Sequence, residues 1–318
     1  MEKPIIVAVE REGEHGGLTK AMEQVIGAAH QLTTGPVWAV SAAAEPDLAD
    51  LGAAGVSEVF IRAGGADPRL PAATAELVAA VIDERGPVGA VILPGTYWGK
   101  ETCGHLSALI DGAAAVDVAT VGEEDGQLVA SKSVLGGTWV TRFKLERGVP
   151  LVALTGSATF PLGATPTICQ LTALAVAARP EVSAVQVVSA RRQEGDASAR
   201  LAEADIVVVG GRGAEDNFEL VHEVAQRLGG AVGATRVACD EGLADRALQV
   251  GQTGITIAPR LYLGLGVSGA IHHTCGMQGS EVIVAVCDDP DAPIFELADF
   301  GIVGDVNEVV PQLLATLT

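Results

Sequence analysis

The feature that most restricts the fold of this chain is an alternation of two residue patterns in its N-terminal half. Short apolar runs rich in β-branched residues, such as IIVAVE (5–10), VSEVFI (56–61) and GAVILPG (89–95), alternate with stretches of helical period, such as LTKAMEQVIGAAHQL (18–32). Strands that alternate with helices favour a largely parallel sheet covered on both faces. We therefore predict an α/β fold whose N-terminal domain, residues 1–190, has three layers.

The segment from 131 to 155 departs from this alternation. SKSVLGGTWVTRFKLE (131–146) and PLVALT (150–155) carry strand residues separated by turns. They predict strands of an antiparallel extension. The stretch from Leu151 to Ala178 has no charged residue, but glycines and prolines interrupt it. A membrane helix is more uniformly apolar, so buried strands joined by turns are the better interpretation.

A polar, charged segment, residues 191–204, predicts a linker between two domains. After it, apolar runs that end in glycine or polar residues alternate again with helical stretches. These runs are DIVVVGGRG (205–213), AVGATR (231–236), RLYLGLG (260–266), EVIVAVC (281–287) and FGIVGD (300–305). We predict a doubly wound α/β domain over 205–318, and such sheets bind ligands at the carboxyl ends of their strands.

The charge balance restricts the partners. The formal net charge of −20 repels nucleic acids and anionic membranes, so we expect neither nucleic-acid binding nor direct membrane insertion. The chain has five cysteines and no C-x-x-C spacing, which is typical of a reducing compartment. Because MEKPIIVAVE (1–10) already predicts a strand, we expect no targeting segment and a cytoplasmic location.

A glycine motif lies at the end of one predicted strand. Residues 264–269, GLGVSG, fit G-x-G-x-x-G between a strand and a helix, and Asp288 and Asp289 follow about twenty residues later. This arrangement indicates a nicotinamide or flavin dinucleotide. The motif is short and the chain has 39 glycines, so a turn or packing role stays open.

Two further features suit a phosphorylated ligand. Ser268, Gly269 and Ala270 are predicted to begin a helix, where free N–H groups and the helix dipole favour a pyrophosphate. Arg212, between two glycines at another strand end, has the geometry to bind a phosphate with two hydrogen bonds. A surface arginine at a turn explains the same residue.

Other chemistries find less support in the sequence. His272, His273, Cys275 and Cys287 lack a conventional zinc spacing, so we predict no metal site. No nucleophile elbow, P-loop or Ser-His-Asp arrangement is present. A redox or binding site is therefore favoured over hydrolysis.

A set of motifs in fixed order resembles a known family. The motifs are GGRG, AVGATR, QVGQTG, P-x-LY, SGAI-x-H, GM, APIF and AD-x-GIVGD. Over about residues 205–310 they closely resemble the alpha subunit of electron transfer flavoproteins, and the N-terminal half is similar more loosely.

This resemblance implies a flavodoxin-like C-terminal domain that binds FAD, and a heterodimer with an electron transfer flavoprotein beta subunit. It implies a carrier of electrons from flavin dehydrogenases to a quinone-linked acceptor, rather than an independent catalyst.

The resemblance also implies a cofactor role for individual residues. Arg212 matches a residue at the FAD phosphates, and Thr235 and Arg236 match a pair whose arginine lies over the flavin ring. The loop at the flavin is matched by Val250, Gly251, Gln252 and Thr253. The segment from pyrophosphate to ring is matched by Ser268, Gly269, Ala270, Ile271, His272 and His273. Asp305 matches an acidic residue near the adenosine.

On this assignment, Arg236 and His273 stabilise the negative charge of reduced flavin near N1 and O2, and the Thr253 hydroxyl bonds N5. A partly screened charge contributes a few kcal/mol, and ~1.4 kcal/mol equals ~59 mV for one electron. His273→Ala is therefore expected to lower the first one-electron midpoint by tens of millivolts.

The chain departs from the family pattern at four positions. His272 replaces a glutamine, Cys287 replaces an asparagine that contacts FAD, and Asp288 and Ile255 replace lysines. These changes make the surroundings of two phosphates more negative, so FAD affinity or potential is expected to differ. A divergent paralogue and drift at tolerant positions both explain them.

Three other functions stay open. A bifurcating, NADH-linked flavoprotein would carry a second FAD on the partner. A non-catalytic paralogue would have lost FAD, as Cys287 and Asp288 suggest. A dinucleotide-dependent dehydrogenase fits less well, since residues for hydride transfer are not apparent.

Overall fold

The computed structural model describes residues 1–10, 18–135, 139–155, 158, 160–163, 165–189, 201–202 and 204–317. The chain divides into two compact units, one formed by most residues up to 191 and the other by residues from 192 onward. Most of the predicted linker, 191–204, lies outside the described residues.

In the described residues of the first unit, ten strands form the sheets. They are β1 (Ile5–Val9), β2 (Val37–Ser41), β3 (Val56–Arg62), β4 (Ala90–Pro94), β5 (Ala113–Val118), β6 (Thr120–Glu124), β7 (Gln127–Val134), β8 (Trp139–Lys144), β9 (Pro150–Leu154) and β10 (Gln170–Leu174). Seven of them form one parallel sheet in the order β10-β3-β2-β1-β4-β9-β5. β6, β7 and β8 form a separate antiparallel sheet.

Helices cover both faces of the seven-stranded sheet. They are α1 (Lys20–Leu32), α2 (Leu48–Ala53), α3 (Pro71–Arg85), α4 (Tyr97–Ile110) and the short α5 (Pro180–Ser183). Because side chains alternate along a strand, Ile5 of β1 packs in a core with α1, whereas Ile6 packs in a second core with α3 and α4. The two cores confirm the predicted three-layer α/β arrangement.

The prediction for 131–155 is half right. The hairpin of β7 and β8 is antiparallel, as expected. The second part is wrong, because β9 lies inside the parallel sheet between β4 and β5. A fully buried apolar run has the same local pattern in either orientation, and its partners are distant in sequence.

The part of the second unit that the structure describes contains five parallel strands: β11 (Ile206–Gly210), β12 (Ala231–Ala234), β13 (Leu261–Leu265), β14 (Val282–Cys287) and β15 (Phe300–Val303). Their order in the sheet is β12-β11-β13-β14-β15. Counted within the unit this is 2-1-3-4-5, the flavodoxin-like order, which confirms the predicted doubly wound fold.

The helices of the second unit are α6 (Glu219–Leu228), α7 (Arg236–Asp240), α8 (Ile271–Thr274) and α9 (Val306–Thr316). Over residues 204–317, 3-10 helices accompany them at Arg212–Asn217, Arg246–Leu248 and Pro293–Glu296. Gly229 ends α6 in the left-handed conformation, as its position predicts.

Apolar cores lie on both faces of this sheet too, one with α6 and α9 and the other around Val207, Val209 and Tyr262. Leu201, inside the predicted linker, is fully buried in the second of these cores.

In the first unit, the uncharged stretch 151–178 contains β9 and β10. Among the described helices, none has the length and apolarity needed to cross a bilayer.

Candidate functional site

The candidate site lies along the carboxyl edge of the five-stranded sheet. The ends of the strands are in register: Gly210 pairs with both Ala234 and Leu265, Leu265 pairs with Val286, and Cys287 pairs with Val303. The loops that follow the five strands therefore open at one edge. Seven of the predicted site residues stand on these loops: Arg212, Thr235, Arg236, Ser268, Gly269, Ala270 and Asp305.

Glycines bring the loops after β11 and β13 into direct backbone contact. A Cβ on Gly211 would lie 2.1 Å from the Gly266 carbonyl oxygen, and a Cβ on Gly213 would lie 2.8 Å from the Gly266 Cα. Gly266 itself has φ +66°, in the left-handed region. β12 lies on one side of β11 in the sheet, whereas β13, β14 and β15 lie on its other side, so the order of strands reverses between β11 and β13. Doubly wound folds bind ligands in the crevice at this position.

The helix predicted to begin near Ser268 starts later. Helix α8 covers only Ile271–Thr274, and Ala270 is its N-cap. Gly269 has φ +82°, and a Cβ there would lie 2.3 Å from the Ile294 backbone nitrogen. A close packing contact therefore holds residues 268–270 as a loop, with Ser268 and Ala270 exposed.

The loop of residues 249–254 joins two parts of this edge. At one end, the Val250 N–H donates to the Ala234 carbonyl at the end of β12 (2.9 Å). At the other, the Gln252 N–H donates to the His272 carbonyl in α8 (2.7 Å). Gly251 is needed between them, because a Cβ would lie 2.5 Å from the His272 oxygen. The predicted flavin loop and the predicted histidine segment are thus brought together.

His273 lies beneath this loop, buried and hydrogen-bonded at both ring nitrogens. Its Nδ1 lies 3.1 Å from the Val250 carbonyl and its Nε2 lies 2.8 Å from the Tyr262 hydroxyl. Burial lowers the pKa of His273 to about 4, and the Val250 hydrogen bond opposes this only in part. The ring is therefore neutral at physiological pH. The role expected from the sequence, stabilisation of negative charge on reduced flavin, stays a prediction.

The exposed polar groups of the loop are paired with one another. His272 Nδ1 donates to Gln252 Oε1 (2.7 Å), since an amide oxygen only accepts. The buried Gln249 donates from Nε2 to the Thr253 hydroxyl (2.9 Å). Because that hydroxyl oxygen accepts from Gln249, its own hydrogen is available to a ligand.

Two predicted cationic residues stand at the same edge. Arg236 begins α7, whose N-cap is Thr235, and 67% of its side chain is exposed. Its Nε lies 3.4 Å from Asp240, a weak exposed ion pair. Arg212, exposed, opens the 3-10 helix that follows the glycine contact.

The remaining predicted residues lie toward the other end of the edge. Cys287 ends β14 and is buried, and burial is the main cause of the raised pKa of its thiol. Asp288, next to it, is exposed. Asp305 follows β15 and caps α9, where one carboxylate oxygen accepts from the Asn307 N–H at 2.7 Å.

These residues fit an elongated phosphorylated ligand. The glycine-lined crevice lets the backbone approach it. Exposed polar residues on the loops include Arg212, Arg236, Gln252, Thr253 and Ser268, and the carboxylates of Asp288 and Asp305 are exposed toward the other end of the edge. Five strands at ~4.8 Å spacing make an edge roughly 19 Å long. Among the described residues, no group of three His, Cys, Asp or Glu side chains is placed to hold a metal ion.

Two residues of the site have no clear signal in the sequence. Tyr262 and Gln249 are buried and bond to His273 and Thr253 respectively. Tyr262 is the last residue of the motif P-x-LY and occupies an apolar position of β13, but neither feature shows where its hydroxyl points. Gln249 begins the motif QVGQTG, which is the only hint of its role.

The fold and the edge site define a two-unit α/β protein with a flavodoxin-like ligand-binding unit. Residues 6–190 match the family model described as the electron transfer flavoprotein domain, and residues 200–278 match the electron transfer flavoprotein FAD-binding domain.

Relatives match over nearly the whole chain. The electron transfer flavoprotein subunit alpha of Mycobacterium leprae (strain TN) is 37% identical over 307 residues, which cover 95% of each chain. The protein of the same name from Mycobacterium tuberculosis (strain ATCC 25618 / H37Rv) is 36% identical over 329 residues, covering 97% of this chain and 96% of the relative. The one from Paracoccus denitrificans is 35% identical and covers 83% of both. The chain belongs to the family of electron transfer flavoprotein alpha subunits.

Proposed function

We propose that this protein is the FAD-bearing alpha subunit of a heterodimeric electron transfer flavoprotein. The observation that carries the proposal is the alignment of five strand-end loops at one edge, with the glycine contact of Gly211 and Gly266 at the point where the strand order reverses. The match of residues 200–278 to an FAD-binding domain supports the same ligand.

The order of the strands suggests how FAD lies on the edge. Thr235 and Arg236 follow one edge strand, β12, and Asp305 follows the other, β15. We assign the flavin to the first end, with the loop Val250–Thr253, and the adenosine to the second. Arg212 and the segment from Ser268 to Ala270 lie between them, where the pyrophosphate would be held by a cation and by backbone N–H groups.

At the flavin end, the residues tune the cofactor and do not themselves make or break bonds. When bound, FAD supplies reversible uptake of one or two electrons. Arg236 would provide positive charge near N1 and O2. The Thr253 hydroxyl, which accepts from Gln249, would donate its hydrogen at N5. His272 and Gln252 extend the exposed polar surface of the loop, and buried His273 supports it from below.

The family relation supports a beta subunit as partner, a flavin dehydrogenase as electron donor and a quinone-linked acceptor. We place the protein in the cytoplasm. The five cysteines are free, and those at 103, 239 and 287 are buried, which suits a reducing compartment.

The test is co-expression of the chain with the neighbouring-encoded beta subunit, followed by purification, an absorbance spectrum and a flavin count. One FAD per heterodimer, reduced by a flavin dehydrogenase with its substrate, is the expected result. Two FAD with reduction by NADH would indicate the bifurcating alternative. A colourless heterodimer that takes up no added FAD would overturn the proposal and favour a paralogue without cofactor.

A further inference from the structure

A chain of two hydrogen bonds connects the core of the second unit to the loop of the cofactor site. It begins at Tyr262 in β13, a fully buried side chain. The Tyr262 hydroxyl lies 2.8 Å from His273 Nε2, and His273 Nδ1 lies 3.1 Å from the Val250 carbonyl. Tyr262 and His273 are also tilted neighbours, with ring centroids 6.1 Å apart.

The direction of both bonds follows from the partners. A backbone carbonyl only accepts, so the hydrogen of the His273 ring is on Nδ1. Nε2 of the neutral ring then has a lone pair, and the Tyr262 hydroxyl must donate to it. Burial raises the pKa of Tyr262 well above its usual value, so the hydroxyl keeps its proton.

The Val250 carbonyl belongs to the loop that also carries Gln252 and Thr253. The same loop is held at a second point, where the Gln252 N–H meets the His272 carbonyl. His273 and His272 are adjacent in α8. One helical turn therefore holds the loop twice, once through a side chain and once through its backbone, and Tyr262 fixes the side chain.

We propose that Tyr262 is a positioning residue of the cofactor site: it selects the Nδ1–H tautomer of His273 and so fixes the loop 250–253 for the flavin. This inference rests on the proposed function. It differs from a direct contact of His273 with the flavin, because both ring nitrogens are engaged within the protein.

The substitution Tyr262→Phe tests the inference, because it removes the hydroxyl and keeps the ring. His273 Nε2 loses its donor, and leaving a buried group unpaired costs roughly 1–3 kcal/mol. Tyr97→Phe is the matched control, since it makes the same change at the other tyrosine of the chain, 88% exposed in the first unit. In fluorescence titrations of the full chain with FAD, we expect affinity to fall about tenfold for Tyr262→Phe and to stay within about twofold for Tyr97→Phe.

A double-variant cycle shows whether Tyr262 acts through His273. In His273→Asn the shorter side chain retains an amide N–H donor for Val250, but its acceptor oxygen does not extend to the position of Nε2, to which Tyr262 donates. If the inference holds, Tyr262→Phe has little further effect in the His273→Asn background. Additive losses in the cycle, or an unchanged affinity in Tyr262→Phe, would overturn it. A wild-type heterodimer without FAD affinity would instead overturn the proposed function, and this inference with it.

Nitrogen-15 NMR of the histidine rings provides a readout that needs no cofactor. The wild-type protein is expected to show His273 with hydrogen on Nδ1 and a bare Nε2 from neutral pH down to about pH 5. In Tyr262→Phe, we expect a mixture of tautomers at the same pH. If Tyr262→Phe does not fold, the wild-type spectrum still decides, because an Nε2–H tautomer there contradicts the inference.

Discussion

At the scale of single residues, the ionisation of His273 makes a testable link between the site and stability. The pKa of about 4 in the folded protein lies below the ordinary histidine value of 6.5. Below pH 6.5, His273 binds a proton in the unfolded chain but stays unprotonated in the folded chain. The free energy of unfolding therefore decreases as the pH falls from 6.5 toward 4. The full difference corresponds to about 3 kcal/mol.

We therefore expect the free energies of unfolding of wild type and His273→Asn to converge on acidification. Urea titrations of the cofactor-free chain between pH 7.5 and pH 4 measure this. The pKa of His30 is also lowered, mainly by burial, but that group is common to both proteins and cancels in the difference. Parallel curves for the two proteins would show that His273 is not held neutral.

Because the His273 ring is neutral in the folded chain, Arg236 is the residue that we propose as the source of positive charge near the flavin. Arg236→Gln is expected to lower the first one-electron midpoint of the FAD-loaded heterodimer, because a cation favours electron uptake. A loss of about 1 kcal/mol corresponds to roughly 40 mV. The control is Arg246→Gln, which removes the same charge from a side chain that also pairs with Asp240 and is 69% exposed. If spectroelectrochemistry gives equal shifts of the midpoint for both variants, the effect comes from the net charge of the protein and not from the position of Arg236.

The sequence was a good guide to the exposed residues of the site and a poor one to those that support it. Ser268 and Arg236 follow strands, and Thr253 lies in a glycine-bearing loop, so the local sequence indicates all three. The contact of Tyr262 with His273 joins a strand to a later helix across eleven positions. It depends on how those elements pack, whereas the motif suggested only that His273 stabilises reduced flavin.

At the scale of elements, the glycine contact between the loops after β11 and β13 is expected to be intolerant of side chains. In Gly211→Ala the new Cβ meets the backbone of Gly266, which cannot rotate away as a side chain would. The two loops must separate, and such overpacking typically costs 1–3 kcal/mol. We expect FAD binding, measured by fluorescence titration, to weaken more than tenfold.

The control for this change is Gly104→Ala on the exposed side of α4, where a Cβ meets nothing within 4 Å. Alanine favours a helix over glycine by up to ~1 kcal/mol, so this variant should be as stable as wild type or more so, with FAD affinity unchanged. Tight FAD binding by Gly211→Ala would show that the crevice adjusts and that the contact does not shape the site.

The elements differ in how far the sequence predicts them. The five strands of the second unit were predicted because each apolar run ends in a glycine or polar residue. The short helix α8 was predicted to begin too early, since nothing local shows that Gly269 packs against Ile294. In the first unit, β9 was placed in the wrong kind of pairing because strand order is a property of the whole sheet.

At the scale of the whole molecule, two units with separate apolar cores predict that FAD stabilises one of them selectively. A ligand that binds only the folded form adds about 2.7 kcal/mol at one hundred times its dissociation constant. The residues assigned to FAD all belong to the second unit. In hydrogen exchange of the full chain, we expect FAD to protect the loops 211–213, 249–254 and 266–273, while β1 to β4 exchange as before.

The same experiment with NAD⁺ in place of FAD separates a flavin site from a general dinucleotide site. Both ligands contain adenosine and a pyrophosphate, so both have partners for Arg212 and for the loop after β13. Only FAD carries the flavin for which Arg236 and the Val250–Thr253 loop are proposed. Protection of residues 249–254 by FAD but not by NAD⁺ is the expected outcome. Equal protection by both would favour a dinucleotide-dependent dehydrogenase, because the loop would then respond to a nicotinamide as readily as to a flavin.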